Sequence, residues 1–356
     1  MANEFLTVWK NENEPEYALN DDNLGFISPH LIYTGKQFIY PVDNQRNKLR
    51  ILGNTAVKLI IGGKHKLFKI SNDLEFIPLD NLDIGSILDP GTDYHLYAVA
   101  NGDGASIVLS KNATFPSGAS SENSRRIGGF HTECADIGAL QLEGHPLLGF
   151  MARDILPNSV HDLLHRPAKI GAQGMVYDPQ TNIWVDIYVQ SGTLNNTKSV
   201  YQGTVTKSRS WDGHSEDLAA VGKRMLKDQE FTSAAWGTIP YKAVMGAVDP
   251  ITTGGKVNTD GRRIVSDIGC EDMAGCYYFW LDEGGCYTGT YAYAHAVGAK
   301  GGNQGQQYLP DFKMVAGGHW GNAAYSGARS RYAYNSRASV GAYYSSRGCS
   351  DALGVV

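Results

Sequence analysis

The chain has 356 residues and a formal net charge of -5, with 42% apolar and only 19% charged residues. That is long enough for two domains and a sizeable core; the slightly acidic balance argues against a nucleic-acid-binding protein, which would carry a basic face, and no run approaches the ~18 apolar residues that span a membrane. Glycine (42) and tyrosine (20) replace charge, which predicts a turn-rich, loop-rich chain and not a helical one.

Residues 1–24 are polar and dominated by Asn, Asp and Glu. They read as a docking segment or a loosely ordered terminus, too acidic for a secretory signal. Residues 25–160 carry short β runs (KQFIYPV, AVKLIIGG, HKLFKI, DYHLYAVA, ASIVLS) with Gly, Asn and Asp between them at intervals of roughly 8–12 residues, which predicts an all-β sandwich. No phosphate loop or catalytic constellation occurs there, so its role is expected to be structural. His95, His131 and His165 have no acid or nucleophile placed beside them in sequence and are expected to be structural too.

A connector follows, with a short helix predicted at Ser159–Leu164. GMVYDPQTNIWVDIYV reads as a β-hairpin opened by Asp178-Pro179, with Trp184, Asp186 and Tyr188 on one face of its second strand. Asp186 is expected to pair with an arginine. Acidic residues at Ser215-Glu216-Asp217 mark a helix start, Leu218, Val221 and Met225 fall at helical spacing, and a second short helix covers Asp228–Trp236. Trp184 and Trp236 read as core anchors. Beyond Thr252 the chain is glycine-rich, with one strong strand at 276–285 and an exposed loop at 298–307.

Cys134, Cys270, Cys276, Cys286 and Cys349 form no CxxC pair, so buried thiols are expected rather than a zinc site or a disulfide framework, although a Cys270–Cys276 or Cys276–Cys286 bridge stays open. Asp267, Glu271, Asp272, Asp282 and Glu283 read as solvated loop charges, with a structural cation as the alternative.

The tail is compositionally distinct. Residues 317–350 hold seven Ser, six Gly, six Ala, five Tyr, four Arg and two Asn, and no Lys, Glu, Gln, Asp or Met. Tyr, Ser, Gly, Asn and Arg are the mixture of antibody-like contact surfaces: tyrosine offers a large stiff contact with few torsions to freeze, and arginine adds stacking and forked hydrogen bonds. A tyrosine-rich strand stack acting as core is the competing reading.

Gly317-Gly318, Trp320, Ser326-Gly327, Arg329, Arg347-Gly348, Asp351 and Leu353 follow, in order, the tail pattern of the major tropism determinant family. SRRIGGFH (124–131), PGTDYHLYAV (90–99), HRPAKIGAQGMVYDPQTNIWVDIYV (165–189), GKRMLKDQEFTSAAWGT (222–238) and GCYYFW (275–280) resemble other blocks of that family, so the resemblance covers most of residues 25–353. It implies a mixed, β-rich chain: the N-terminal β-sandwich, then a C-type lectin (α+β) fold over 161–356 with a variable region at 317–353. It further implies a receptor-binding protein at a phage tail tip, diversified by a retroelement. The variable face then falls on His319, Gly321, Asn322, Ala323, Tyr325, Tyr332, Tyr334, Asn335, Ser339, Gly341, Tyr343 and Tyr344, all of them residue types that adenine mutagenesis of Asn codons can reach. The five tyrosines are expected to be at least partly exposed on one face, with Trp320, Gly327, Arg329, Arg347 and Gly348 as scaffold. The implied partners are a host cell-surface receptor (protein or glycan), tail-fibre or baseplate proteins, and two further copies in a homotrimer located in the virion. No cofactor, metal, nucleic acid or membrane insertion is expected.

Three other readings compete. A bacterial surface-displayed binding protein uses the same variable fold. A formylglycine-generating oxidase shares the lectin core and resembles GKRMLKDQEF, but its chemistry needs reactive cysteines close together, and only Cys349 lies in the tail. A calcium-dependent lectin would show Glu-Pro-Asn or Gln-Pro-Asp, and neither triplet occurs.

Overall fold

A computed structural model describes residues 7–8, 37–53, 55–61, 64–102, 104–286, 293–295, 306–308 and 311–353. The docking segment expected at 1–24, apart from Thr7 and Val8, lies outside them, as does the loop expected at 298–307 apart from Gln306 and Gln307. The chain divides into two compact units. The first gathers Met1–Glu133, Arg153–Arg166 and Leu353–Val356; the second gathers Cys134–Ala152 and Pro167–Ala352.

The first unit is built from β1 (Thr7–Val8), β2 (Ile39–Val42), β3 (Gln45–Ile51), β4 (Thr55–Ile61), β5 (Lys64–Ile70), β6 (Leu74–Phe76), β7 (Asp93–Asn101), β8 (Gly104–Ser110), β9 (Ser124–His131) and β10 (His161–Asp162). These form three antiparallel sheets ordered β1-β5-β4, β2-β3-β6 and β10-β9-β7-β8. Alternation places Ala105, Ile107 and Leu109 of β8 on the buried side, where they join Phe38, Ile51, Leu96, Ile127 and Phe130 in one apolar core. Burying each such large side chain contributes about 1.5–3 kcal/mol. Gly128 and Gly129 let β9 fit between its neighbours: a Cβ on either would lie 2.3 Å from a backbone oxygen, of His161 and Tyr94 respectively.

The helix expected at Ser159–Leu164 is absent. A 3-10 turn at Pro157–Ser159 is followed directly by β10, whose His161 pairs with Gly129. The Asp162 carboxylate decides this. It accepts from the backbone N–H groups of Phe38 (2.5 Å), Ile39 (3.0 Å), Leu164 and His165 (2.8 Å each), and a helix would not offer it those donors. The three histidines are part of this framework. His131 Nδ1 lies 2.8 Å from Asp93 Oδ1, and burial pushes His95 and His165 down to about 4, so both are neutral near pH 7.

The second unit comprises β11 (Met175–Asp178), β12 (Ile183–Asp186), α1 (Trp211–Ala220), β13 (Arg224–Met225), α2 (Asp228–Ala234), β14 (Tyr278–Cys286), β15 (Tyr293–His295), β16 (Gln306–Tyr308), β17 (Asp311–Gly317), β18 (Gly327–Asn335), β19 (Tyr344–Ser345) and β20 (Gly348–Asp351). One sheet runs β11-β12-β20-β13 and a second β18-β17-β14-β19, in which only β14 and β19 are parallel; β15 and β16 pair separately. The hairpin turn is closed by Asp178, which accepts from Gln180 N (3.0 Å) and Thr181 Oγ1 (2.7 Å). Trp184 of β12 is fully buried, as its pattern predicted.

Helix α1 starts four residues before the expected Ser215, because Ser210 caps it by accepting from Gly213 N at 3.2 Å. Asp217 is therefore inside the helix and buried, where it accepts from Gln190 Nε2, Leu194 N and the Arg209 guanidinium, each at 2.9 Å. The apolar spacing to Met225 does not continue the helix. Gly222, at φ +75°, turns the chain, and Met225 enters β13 opposite Gly348. Asp186 takes Lys223 as its partner at 2.5 Å, not an arginine. No helix among the described residues is long and apolar enough to cross a membrane.

Candidate functional site

The tail begins with two residues that must be glycine. Gly317 and Gly318 sit at φ +89° and +81°, and a Cβ would meet Met273 O at 2.7 Å and Ser326 Cα at 2.8 Å. From this corner the chain makes a 3-10 turn at Ala323–Tyr325 and reaches Ser326, which is buried. The Ser326 hydroxyl donates to Lys242 O (2.7 Å) and accepts from Lys242 N (3.0 Å), while Ser326 O accepts from Tyr241 N (2.9 Å). The turn that lifts Tyr325 into solvent is thus tied down on its inner side.

The C-terminal part of the tail is anchored by Arg347. Its guanidinium, fully buried, donates to the carbonyls of Asp186 (2.6 Å), Ile187 (2.5 Å) and Glu271, and it covers the Phe279 ring at 5.4 Å. Gly348 follows, where a Cβ would lie 2.7 Å from Asp186 Oδ2. Arg347 and Gly348 therefore hold the scaffold role expected of them, and Gly327, also buried, abuts Pro240. Trp320 is half-buried, edge-on to Tyr277 (5.4 Å) and His319 (5.2 Å). Arg329 is not scaffold: it is exposed, its guanidinium 5.9 Å from the centre of the Trp236 ring.

Between these anchors lies an aromatic cluster centred on Tyr278. Its ring stacks on Tyr332 (5.9 Å) and meets His319 (5.0 Å), Tyr343 (6.3 Å) and Tyr344 (6.2 Å), and its hydroxyl accepts from Asn322 Nδ2 (2.8 Å). His319 also stacks on Tyr343 at 5.0 Å. Tyr325 is 73% exposed, Tyr332 43% and Tyr343 39%. Tyr344, by contrast, is 5% exposed, which corrects its expected place on the outer surface. It packs on Trp280 at 4.8 Å and donates to Asn335 Oδ1 at 2.6 Å, and burial pushes its phenol pKa up. Asn335 is buried with it, a second correction. Of the remaining tail positions, Gly321 is exposed and His319, Asn322, Ala323, Ser339 and Gly341 are half-buried. The Tyr334 side chain lies outside the described residues.

Sequence reasoning missed three residues of this site, Tyr278 buried at the centre of the cluster and Trp236 and Tyr241 exposed. Tyr278 was readable in part, since strand alternation in CYYFW sets it on the same face as Trp280. Trp236, expected in the core, is 53% exposed because α2 ends at Ala234, two residues before it. Tyr241, at φ +62°, is exposed beside it.

The other candidate residues form structure. Cys134, Cys270, Cys276 and Cys349 are buried thiols; the Cys286 side chain lies outside the described residues. The Cys349 sulfur accepts from Arg224 Nη1 (3.0 Å) and donates to Met225 O (3.4 Å), and burial raises its pKa well above the ordinary thiol value. A thiol held protonated in this way is a poor nucleophile.

Glu271 and Asp272 are buried and not solvated as expected, whereas Asp282 is exposed. Glu271 pairs with Arg263 (2.5 Å) and accepts from Gly255 N (2.9 Å); Asp272 accepts from Gly254 N (2.6 Å). Burial, reinforced by Glu271, raises the Asp272 pKa to about 7. A carboxyl whose folded pKa lies above its unfolded value contributes stability that is complete below pH ~4 and lost as pH climbs through ~7. Asp272→Asn keeps the acceptor for Gly254 and removes the charge. Its expected effect is a melting temperature several degrees above the parent at pH 8, with the gap closing toward pH 4 in thermal scans.

The tail thus sets exposed aromatic and cationic side chains on turns and an edge strand, over a buried and hydrogen-bonded frame. Residues 40–161 match the family description "Mtd second domain". The chain is 27% identical over 292 residues to the tail fiber receptor-binding protein of Bordetella phage BPP-1, covering 75% of this chain and 72% of that one. Among solved structures it resembles the Major Tropism Determinant I1 variant (TM-score 0.74, 23% identity) and the M1 variant (TM-score 0.73, 24% identity), each over 91% of this chain and 85% of the other. The chain has the β-rich architecture of these structures, with a C-type lectin fold, and residues 40–161 match the second-domain model of the major tropism determinants.

Proposed function

We propose that this protein is the receptor-binding protein of a phage tail and that the tail aromatics contact the host cell-surface receptor. The observation that carries the reading is the division within residues 317–353. Tyr325, Tyr332 and Tyr343 face solvent, while Gly317, Gly318, Arg347 and Gly348 are committed to backbone geometry and buried hydrogen bonds. Residues on such a frame can change without cost to the fold, which is what a retroelement-diversified face requires. Similarity to a tail fiber receptor-binding protein supports the same reading. A homotrimer fits it as well, because closed symmetry sets identical weak sites side by side and linked sites gain about 10²–10⁴ in apparent strength.

Competition for adsorption tests the proposal. Purified protein mixed with the phage's host bacteria beforehand should slow adsorption of the phage in proportion to its concentration, and light scattering should give three times the chain mass. A chain that neither binds the cells nor slows adsorption overturns the receptor reading; a single-chain mass overturns the trimer.

A further inference from the structure

Beside Tyr325, and mostly outside the twelve tail positions, lies a groove of about 560 Å³ in the second unit, within the size range of ligand sites. Its walls include Leu142, Trp236, Tyr241, Tyr325 and Arg329, all exposed, with Thr238 lining it from below. Two features make it a built site and not a surface dent. First, Arg329 is held over Trp236 by a bulge. Gly327 pairs with Gly317 and Arg331 with Ala316, so residues 328–330 oppose nothing on β17. Arg331 braces that bulge from inside, donating to Ala328 O and Ser330 O (2.8 Å each) and to Thr232 Oγ1 (2.6 Å), with its Nε on Asp228. Second, Thr238 belongs to the lining and is buried, its hydroxyl without a hydrogen-bond partner among the described residues.

The chemistry of the walls selects the occupant. Trp, Tyr and Arg are the residues that dominate protein–protein contact energies. Arg329 makes no ion pair among the described residues and is the only charged side chain lining the groove, so the complementary charge must come from outside. The side-chain acceptors here are hydroxyls, and no carboxylate or carboxamide lines this groove to hold a sugar's hydroxyls by the stronger charge-assisted bonds. We propose that the groove is an anchor site for a protein loop that inserts an apolar or aromatic side chain against Trp236 and Tyr241 and sets a carboxylate on Arg329. The inference rests on the receptor-binding reading and narrows it to a proteinaceous, acidic epitope.

The test uses the full chain labelled with 5-fluorotryptophan, the Trp236 resonance being assigned by its loss in Trp236→Phe. The probes are the blocked tripeptides Asp-Phe-Asp and Lys-Phe-Lys and the neutral sugar chitotriose. The Trp236 signal should move with the acidic peptide, with binding at least about tenfold weaker for the lysine peptide, and Arg329→Glu should invert that order. No shift, or equal shifts with both peptides, overturns the proposal; so does a shift with chitotriose alone, which makes the groove a glycan site. A Trp236 signal shielded from solvent in the free protein, together with a fall in assembly mass for Trp236→Ala, also overturns it and makes the groove a contact between copies. Because the probes are small peptides and not cells, failure here is separable from failure of the adsorption experiment.

Discussion

Arg347→Met is expected to cost about 3–5 kcal/mol, since each buried acceptor left without its donor costs about 1–3 kcal/mol. Methionine fills most of the volume and keeps the contact with Phe279, so the loss isolates the guanidinium. The carbonyls of Asp186 and Glu271 then lose the guanidinium, and that of Ile187 keeps only the Glu271 N–H (2.8 Å), in a region without access to water. For a unit of this size the melting temperature should drop by roughly 6–20 °C. Arg347→Lys should recover little, because a single ammonium cannot reach three acceptors from the position of a planar fork. Differential scanning calorimetry reads both variants, and a shift within error of zero for Arg347→Met would remove the guanidinium from the frame.

Tyr325→Ala and Tyr332→Ala should do the opposite. Each is expected to weaken host-cell binding by about 2 kcal/mol, roughly 30-fold, while moving the melting temperature little. Tyr325 is the cleaner case: it is the most exposed of the described tail tyrosines, and its phenol makes no hydrogen bond to the described residues. Tyr332 loses its stacking on Tyr278 as well, so a small stability change accompanies its binding loss. Tyr344→Ala is the internal contrast. It removes a buried ring from Trp280 and a hydrogen bond from Asn335, and should cost about 3–5 kcal/mol of stability. Cell-binding titrations set beside thermal scans separate the two classes. If Tyr325→Ala binds cells as the parent does and Tyr344→Ala melts as the parent does, the assignment of inner and outer tyrosines is reversed.

Exposure also sorts the tail's charged residues. Arg331, Arg337 and Arg347 are each committed: to Asp228 and Thr232, to Asp212, and to three carbonyls. Arg329 alone of the four has no such partner among the described residues, which is why the groove beside it takes on a recognition role that composition did not assign.

The sequence by itself determined the β-rich class, the hairpin at Asp178-Pro179, the buried Trp184 and the two helices of the second unit to within a few residues. Each of these follows from local chemistry: strand alternation, a carboxylate closing its own turn, or apolar residues at helical spacing behind an acidic first turn. Only the tertiary structure decided which tyrosines face outward. Tyr343 and Tyr344 are neighbours in a run of small residues that carries no periodic signal, and what separates them is β14, some 65 residues away in the chain, which offers Trp280 as a floor for Tyr344 and leaves Tyr343 at the rim. Asn335 is buried for the same reason, through the Tyr344 hydroxyl. The exposure of Trp236 depended on where α2 stops, and that of Arg329 on a bulge braced by Arg331 against a helix about 100 positions earlier. Burial of a side chain in an irregular segment is set by what the rest of the chain packs against it, and pattern along the segment carries no record of that.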